Sequence, residues 1–155
     1  DTVRFVSTQP YRLVVTGRTK HFISAFGEHV IAEEVEWALT EAAKLFGARV
    51  GEFTVAPFIA PTEGQSFHEW WIEFEKAPDH LELFAEKLDD LLREKNVYYD
   101  DLIRGNILKK VQIKVVRPGG FIDHMKSIGK LGGQNKVPRL SNDRKFVEGL
   151  FAISV

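Results

Sequence analysis

The spacing of apolar residues changes twice from a strand-like to a helix-like period and back, and this order restricts the folds open to the chain. Three-and-four spacing predicts an amphipathic helix from Val30 to Phe46, stopped by Gly47, and a second that opens at Pro78-Asp79 and ends near Asn96. Strand-like runs cover residues 3–6, 13–16, 22–23, 50–58, 67–74 and 112–116. Strands with two intervening helices predict an α+β fold, a small sandwich with helices packed on a mixed or antiparallel sheet.

The segments between these elements carry turn and breaker residues. Gln9-Pro10 predicts a turn between the first two strands, and the loop at 61–65 predicts a hairpin between the fourth and fifth. Pro118-Gly119-Gly120 ends the last strand. Residues 127–139 are polar and glycine-rich, which favours a surface loop.

Composition excludes several classes of function. The chain has 155 residues, enough for one domain or a domain with a small appendage, and 21 Lys+Arg against 22 Asp+Glu leave a net charge of -1. A binder of nucleic acid that works by neutralising phosphates needs a basic surplus, so no nucleic-acid partner is expected. The absence of cysteine excludes disulfides, cysteine–zinc sites and cysteine nucleophiles. No apolar run is long enough to predict a membrane span, and we expect a cytoplasmic protein with no membrane partner.

The chain starts at Asp1 and enters a strand-like run at once, without a charged and apolar leader. We therefore expect it to be a piece of a longer protein.

Acidic and histidine residues give weak signals. Adjacent carboxylates at Asp89-Asp90, Asp100-Asp101 and Glu33-Glu34 favour solvated faces over acid–base pairs. The five histidines lack metal-ligand spacing, and His68-Glu69 matches only half of a zinc motif, so no metal site is predicted. Aromatic residues at 53, 58, 67, 70, 71 and 74 alternate along two strands, which favours sheet core over a base-stacking platform.

Two segments combine glycine with basic residues. Gly17 to Lys20 places a basic pair on a bend, and residues 129–139 have the composition of a loop whose amides and lysines could reach a phosphate. Taken separately, they favour a solvated bend and a flexible connector.

Read together, these segments resemble a known enzyme superfamily. Residues 1–5, 16–30 and 33–36 resemble the late core motifs of adenylate-forming enzymes, which include acyl-CoA synthetases, adenylation domains and luciferases. Gly120-Phe121, Met125-Lys126 and the block 129–144 are similar to the auxin-responsive-promoter family of acyl-acid amido synthetases, in its bacterial branch.

The resemblance implies the C-terminal domain of a two-step ligase. Such an enzyme activates a carboxylic acid with ATP and Mg²⁺ to an acyl-adenylate, then passes the acyl group to an amino acid amine. Residues 1–20 would be the last strands of the N-terminal domain and the hinge, and residues 21–155 the mobile C-terminal domain. The missing N-terminal domain would be its partner, and the fragment alone would be inactive.

The resemblance also implies roles for individual residues. Asp1 and Arg18 match the residues that bind the nucleotide ribose, and Lys20 matches the hinge. Phe26, Gly27 and Glu28 lie in the loop that faces the active site in the second step. Lys136 is the candidate lysine for adenylation, with Lys130 as its rival.

A different class stays open from the residues alone: a free-standing, ferredoxin-like module that binds a ligand or a protein. The open reading frame separates the two hypotheses. Three to four hundred residues before Asp1, about two further domains, would favour the ligase.

Overall fold

The structure is a computed structural model that describes residues 2–17 and 22–154. Its centre is a mixed sheet of three strands in the order β5-β6-β7: β5 is Arg49–Phe58, β6 is Ser66–Lys76 and β7 is Leu108–Val116. β5 and β6 form the predicted antiparallel hairpin, whereas β6 and β7 run parallel. The predicted α+β class, with helices on a mixed sheet, is confirmed.

Two short antiparallel pairs precede this sheet. β1 (Thr2–Thr8) and β2 (Tyr11–Gly17) form a hairpin through the predicted turn at Gln9-Pro10. β3 (Phe22–Ile23) pairs with β4 (Val30–Ile31), and the loop between them contains the residues assigned to the second step.

The two predicted helices are present, but the first starts later than predicted, because Val30 and Ile31 pair with β3 as strand β4. α1 (Ala32–Phe46) ends at Gly47, whose φ of 61° is the left-handed conformation that closes many helices. α2 (Leu81–Lys95) ends at Asn96. Three further helices were missed from the sequence: α3 (Val97–Arg104), α4 (Gly120–Ser127) and α5 (Lys145–Ser154).

The sheet separates two hydrophobic clusters because successive strand residues point to opposite faces. Trp70 and Ile72 of β6 pack with α1 and α2, whereas Trp71 between them packs with α4 and α5. Phe53, Trp70 and Trp71 are buried and Phe74 packs against the first cluster, so four of the six aromatic residues of the stripe belong to the core, as predicted.

The edge of β5 is extended by a segment after the glycine-rich loop. Val55 N–H donates to the Arg139 carbonyl at 3.0 Å, and Ser141 N–H donates to the Val55 carbonyl at 3.0 Å. Leu140 thereby forms a parallel bridge with Val55. This pairing fixes the C-terminal end of the loop that contains Lys136.

Candidate functional site

The loop between β3 and β4, residues 24–29, is tight and defined by its backbone. Gly27 N–H donates to the Ser24 carbonyl at 3.3 Å, and Gly27 has a φ of 90°, which glycine adopts without the penalty of a Cβ. No described residue lies within 4 Å of the position a Gly27 Cβ would take. The tip of the loop is therefore open on its outer side.

Glu28 points inward from this loop. Its Oε1 lies 2.8 Å from His68 Nε2 in β6, and both side chains are completely buried. Its Oε2 accepts a hydrogen bond from Phe26 N–H at 2.9 Å. Of the three residues assigned to the second step, Glu28 is thus packed in the interior, whereas Gly27 is exposed at the tip.

Two asparagines hold the loop from other elements. Asn142 Oδ1 accepts from Ser24 N–H at 2.9 Å, and its Nδ2 donates to the Phe22 carbonyl at 2.8 Å. Asn96, at the junction of α2 and α3, donates to the His29 carbonyl at 3.2 Å and to Glu34 Oε2 at 3.1 Å. The loop is therefore fixed by side chains from three distant parts of the chain.

A buried polar network lies behind His68. The Tyr99 ring lies 5.1 Å from the His68 ring, and the Tyr99 hydroxyl donates to Asp89 Oδ1 at 2.6 Å. Asp89 Oδ1 also accepts from Val111 N–H at 3.1 Å. Burial first, and the Asp89 charge second, raise the pKa of Tyr99 well above its usual value, so Tyr99 stays a hydroxyl donor.

This network corrects one interpretation of the sequence. Asp89 is fully buried, so the expectation of a solvated face is wrong for it, while its neighbour Asp90 is exposed. Asp100 pairs with Arg93 at 2.6 Å, and this hydrogen bond raises the pKa of Arg93. Glu34 accepts from Ile31 N–H at 3.1 Å at the start of α1.

The glycine-rich loop is built differently. Lys130 N–H donates to the Met125 carbonyl at 2.8 Å at the end of α4, and Gly129, Gly132 and Gly133 all have positive φ. Lys130 and Lys136 are both exposed, and neither ammonium group pairs with a carboxylate among residues 2–17 and 22–154.

Directly after Lys136 the chain is anchored. Thr54 Oγ1 donates to the Pro138 carbonyl at 2.5 Å, and Arg139 stacks over the Phe53 ring at 4.6 Å. Arg139 also pairs with Glu52, and with Glu36 of α1 at 3.3 Å. Residues 128–136, which contain Lys130 and Lys136, are called the lysine loop below. The segment 137–142 joins the end of this loop to the loop at 24–29.

Three of the predicted site residues, Asp1, Arg18 and Lys20, lie outside the described residues. Three residues that shape the site, His68, Asn96 and Asn142, were not predicted. Their partners are 40 to 120 residues away, so no local spacing marks them.

No group of three histidine or acidic side chains within the described part of the chain could hold a metal ion. None of the described helices combines the length and apolar character needed to cross a bilayer.

Comparison with known proteins assigns the chain. The model of the GH3 family C-terminal domain matches residues 33–145, more than half of the sequence. The chain belongs to the GH3 family. This confirms the resemblance to acyl-acid amido synthetases, whose auxin-responsive-promoter family is the GH3 family. Among curated proteins no significant match is found.

Solved GH3 structures share the fold. A "GH3.15 acyl acid amido synthetase" superposes with a TM-score of 0.74 at 20% identity, over 94% of this chain and 28% of that one. A second structure, "AtGH3.15 acyl acid amido synthetase in complex with 2,4-DB", superposes with a TM-score of 0.76 at 18% identity, over 99% of this chain and 29% of that one. This chain therefore spans less than a third of the length of these GH3 enzymes.

Proposed function

We propose that this GH3 chain is the C-terminal domain of an ATP-dependent acyl-acid amido synthetase. The complete enzyme would join a carboxylic acid to ATP, release pyrophosphate and hold the acyl-adenylate. It would then transfer the acyl group to the amine of an amino acid, forming the amide and releasing AMP. The family match over residues 33–145 carries this proposal.

The exposed hairpin supports the proposed division into domains. Large apolar side chains on β1 and β2 each keep 43% to 77% of their surface exposed; they are Val3, Phe5, Val6, Tyr11, Leu13 and Val14. Val3, Phe5 and Leu13, the partner of Phe5 across the hairpin, lie on one face of the pair, and an exposed apolar face of this kind marks an interaction site. We assign residues 1–20 to the last strands of an N-terminal domain and the hinge, with Lys20 as the hinge residue, and residues 21–155 to the mobile domain.

The adenylation step is assigned to Lys136. Negative charge accumulates on the phosphate oxygens when the substrate carboxylate attacks the α-phosphorus and pyrophosphate leaves. An unpaired ammonium can neutralise that charge, and Lys136 is exposed at the end of its loop without a carboxylate partner in the described chain. Lys130 has the same exposure but follows α4 directly, and it stays the rival.

The nucleotide contacts are assigned from the family resemblance. Asp1 would accept from the ribose hydroxyls, and Arg18 would support the same sugar. The described residues offer no ligand cluster for Mg²⁺. The phosphates of ATP would carry the ion, which is its usual mode of binding in enzymes that use nucleotides.

The second step is assigned to the loop at 24–29. Gly27 leaves the outer side of the loop free for the close approach of an acceptor. Phe26 and Glu28 both hold the loop on the domain by contacting His68. The Phe26 ring stacks against the His68 ring, and the Glu28 carboxylate is hydrogen-bonded to His68 Nε2.

Exchange of labelled pyrophosphate into ATP tests the proposed function. The complete protein is incubated with ATP, Mg²⁺ and a panel of carboxylic acids, and amino acids are then screened with whichever acid supports exchange. We expect exchange that depends on one class of acid, and amide formation with an amino acid. The 155-residue chain should support no exchange, because a closed, water-excluded site requires the N-terminal domain. Exchange that is absent with every acid, or catalysed by the isolated chain, contradicts the proposal.

A further inference from the structure

His68 is a buried titratable residue with no role in the proposed chemistry. It lies in the middle of the sheet on β6, opposite Pro57 of β5, and its side chain is completely buried. Its only hydrogen bond among the described residues joins Nε2 to Glu28, since Nδ1 has no described partner. A carboxylate accepts but does not donate, so the imidazole Nε2–H is the donor.

The Glu28 carboxylate has two tasks that depend on each other. One oxygen accepts from His68, and the other accepts from Phe26 N–H across the turn at Gly27. If His68 no longer donates, the carboxylate is buried with half of its partners lost, and a buried charge without its partner moves toward water. Movement of Glu28 would release the Phe26 amide and change the turn that carries Gly27.

Two aromatic rings lie next to the His68 imidazole and restrict its orientation. The Phe26 ring is stacked at 6.4 Å with an interplanar angle of 29°, and the Tyr99 ring lies at 5.1 Å. Tyr99 is in turn held by Asp89. The donor therefore has a defined direction, which is set by Tyr99 in the core together with Phe26 of the loop itself.

We infer that His68 is a positioning residue for the acyl-transfer step: it holds Glu28, and through Glu28 the turn at Phe26-Gly27, in the geometry that the acceptor amine meets. This inference rests on the proposed function. A displacement of about 1 Å at a site that aligns two reactants can lower a rate about a hundredfold. The adenylation step uses the other loop, so it should respond far less.

The test compares both half-reactions in the complete protein. His68→Phe removes the donor and keeps a planar ring, whereas His68→Gln keeps an N–H donor. Adenylation is followed by pyrophosphate exchange with the acid that scores best in the panel, and transfer by amide formation from preformed adenylate. We expect His68→Phe to lower kcat for transfer about a hundredfold. Exchange should stay within about threefold of the wild-type rate, and His68→Gln should recover most of the transfer rate.

Two further variants keep the outcome decisive. Glu28→Gln has the shape of the native residue but turns one acceptor into a donor, so it should lower transfer about tenfold even if His68→Phe does not fold. His80→Gln changes an exposed histidine and should alter neither step. Folded variants at His68 and Glu28 that transfer at the wild-type rate, or that lose both steps in equal proportion, overturn the inference. If the wild-type protein supports no exchange, the proposed function itself fails, which is a separate result.

Discussion

The two loops assigned to the two half-reactions are held in opposite ways. Residues 24–29 are fixed by three side chains that come from β6, from the α2–α3 junction and from the segment after the lysine loop. Residues 128–136 are held at their start by backbone hydrogen bonds to the end of α4. At their end they are held because residues 139–141 pair with the edge of β5. The difference indicates that the loop at 24–29, assigned to acyl transfer, is positioned before substrates bind. The side chain of Lys136, assigned to adenylation, is left free to move toward a phosphate.

The largest effect is expected in the buried polar network of Tyr99 and Asp89, which lies behind His68 and the loop at 24–29. Asp89→Ala leaves the Tyr99 hydroxyl and the Val111 N–H buried without an acceptor, which should lower the free energy of unfolding by about 3 kcal/mol. Asp90→Ala, at the exposed neighbour, should change it by no more than about 0.5 kcal/mol. Urea unfolding of the 155-residue chain measures both. Equal effects at the two positions would contradict the assigned burial.

A smaller effect is expected at the link between the two loops. Amide hydrogen exchange should be slower at Ser24, Phe26 and Ile31, which donate to side chains, than at residues 131–134. Asn142→Ala should make the Ser24 amide exchange about fivefold faster, since this amide loses a hydrogen bond worth about 1 kcal/mol. The same change also removes the donor to the Phe22 carbonyl.

Asn135→Ala is the matched control for this change. Among the described residues, the hydrogen bonds of Asn135 stay within the lysine loop, because its backbone N–H and its Nδ2 both donate to the Gly132 carbonyl, at 3.4 Å and 3.3 Å. Asn135→Ala should leave the exchange rate of the Ser24 amide unchanged. If the amides of the two loops exchange at the same rate in the wild-type chain, the conclusion that the loop at 24–29 is held more firmly than the lysine loop is wrong.

The smallest effect concerns the base of the lysine loop. His124 of α4 is buried against α5, where the Phe146 ring lies 4.7 Å from it. Burial lowers the pKa of His124, so the unfolded chain takes up this proton more readily than the folded chain. The stability from a neutral His124 is fully present above pH of about 6.5 and is lost as the pH falls through the lower, folded-state pKa.

Unfolding midpoints between pH 8 and pH 5 measure this effect. His124→Leu should flatten the pH dependence relative to the wild-type chain, and the exposed control His80→Gln should not. Parallel curves for His124→Leu and the wild-type chain would show that His124 does not titrate as described.

Much of the fold follows from local sequence. α1 and α2 have regular apolar spacing with stop signals, and β5 and β6 have strand-like runs around a loop. α3 was missed because Asn96 serves both as the end of α2 and as the N-cap that accepts from Tyr99 N–H at 2.8 Å. α4 was missed because it starts at Gly120, inside a segment that was read as a strand breaker.

The site was less accessible to sequence reasoning, because its decisive contacts are long-range. The loop containing Phe26, Gly27 and Glu28 was found from its motif, but the inward direction of Glu28 depends on His68, 40 residues away. Asp89 offered a usable signal: it is four residues after Ala85 and three before Leu92, which is the spacing of a helix face that packs inward.

The central claim, that the two loops serve different half-reactions, is tested most directly by measuring both rates in Lys136→Ala and His68→Phe forms of the complete protein, with Lys130→Ala to separate the two candidate lysines. The account predicts that Lys136→Ala lowers pyrophosphate exchange about a hundredfold with far less effect on transfer from preformed adenylate. It predicts the reverse for His68→Phe and little change for Lys130→Ala. An unchanged exchange rate in Lys136→Ala, or the same step lowered equally by both variants, would contradict it.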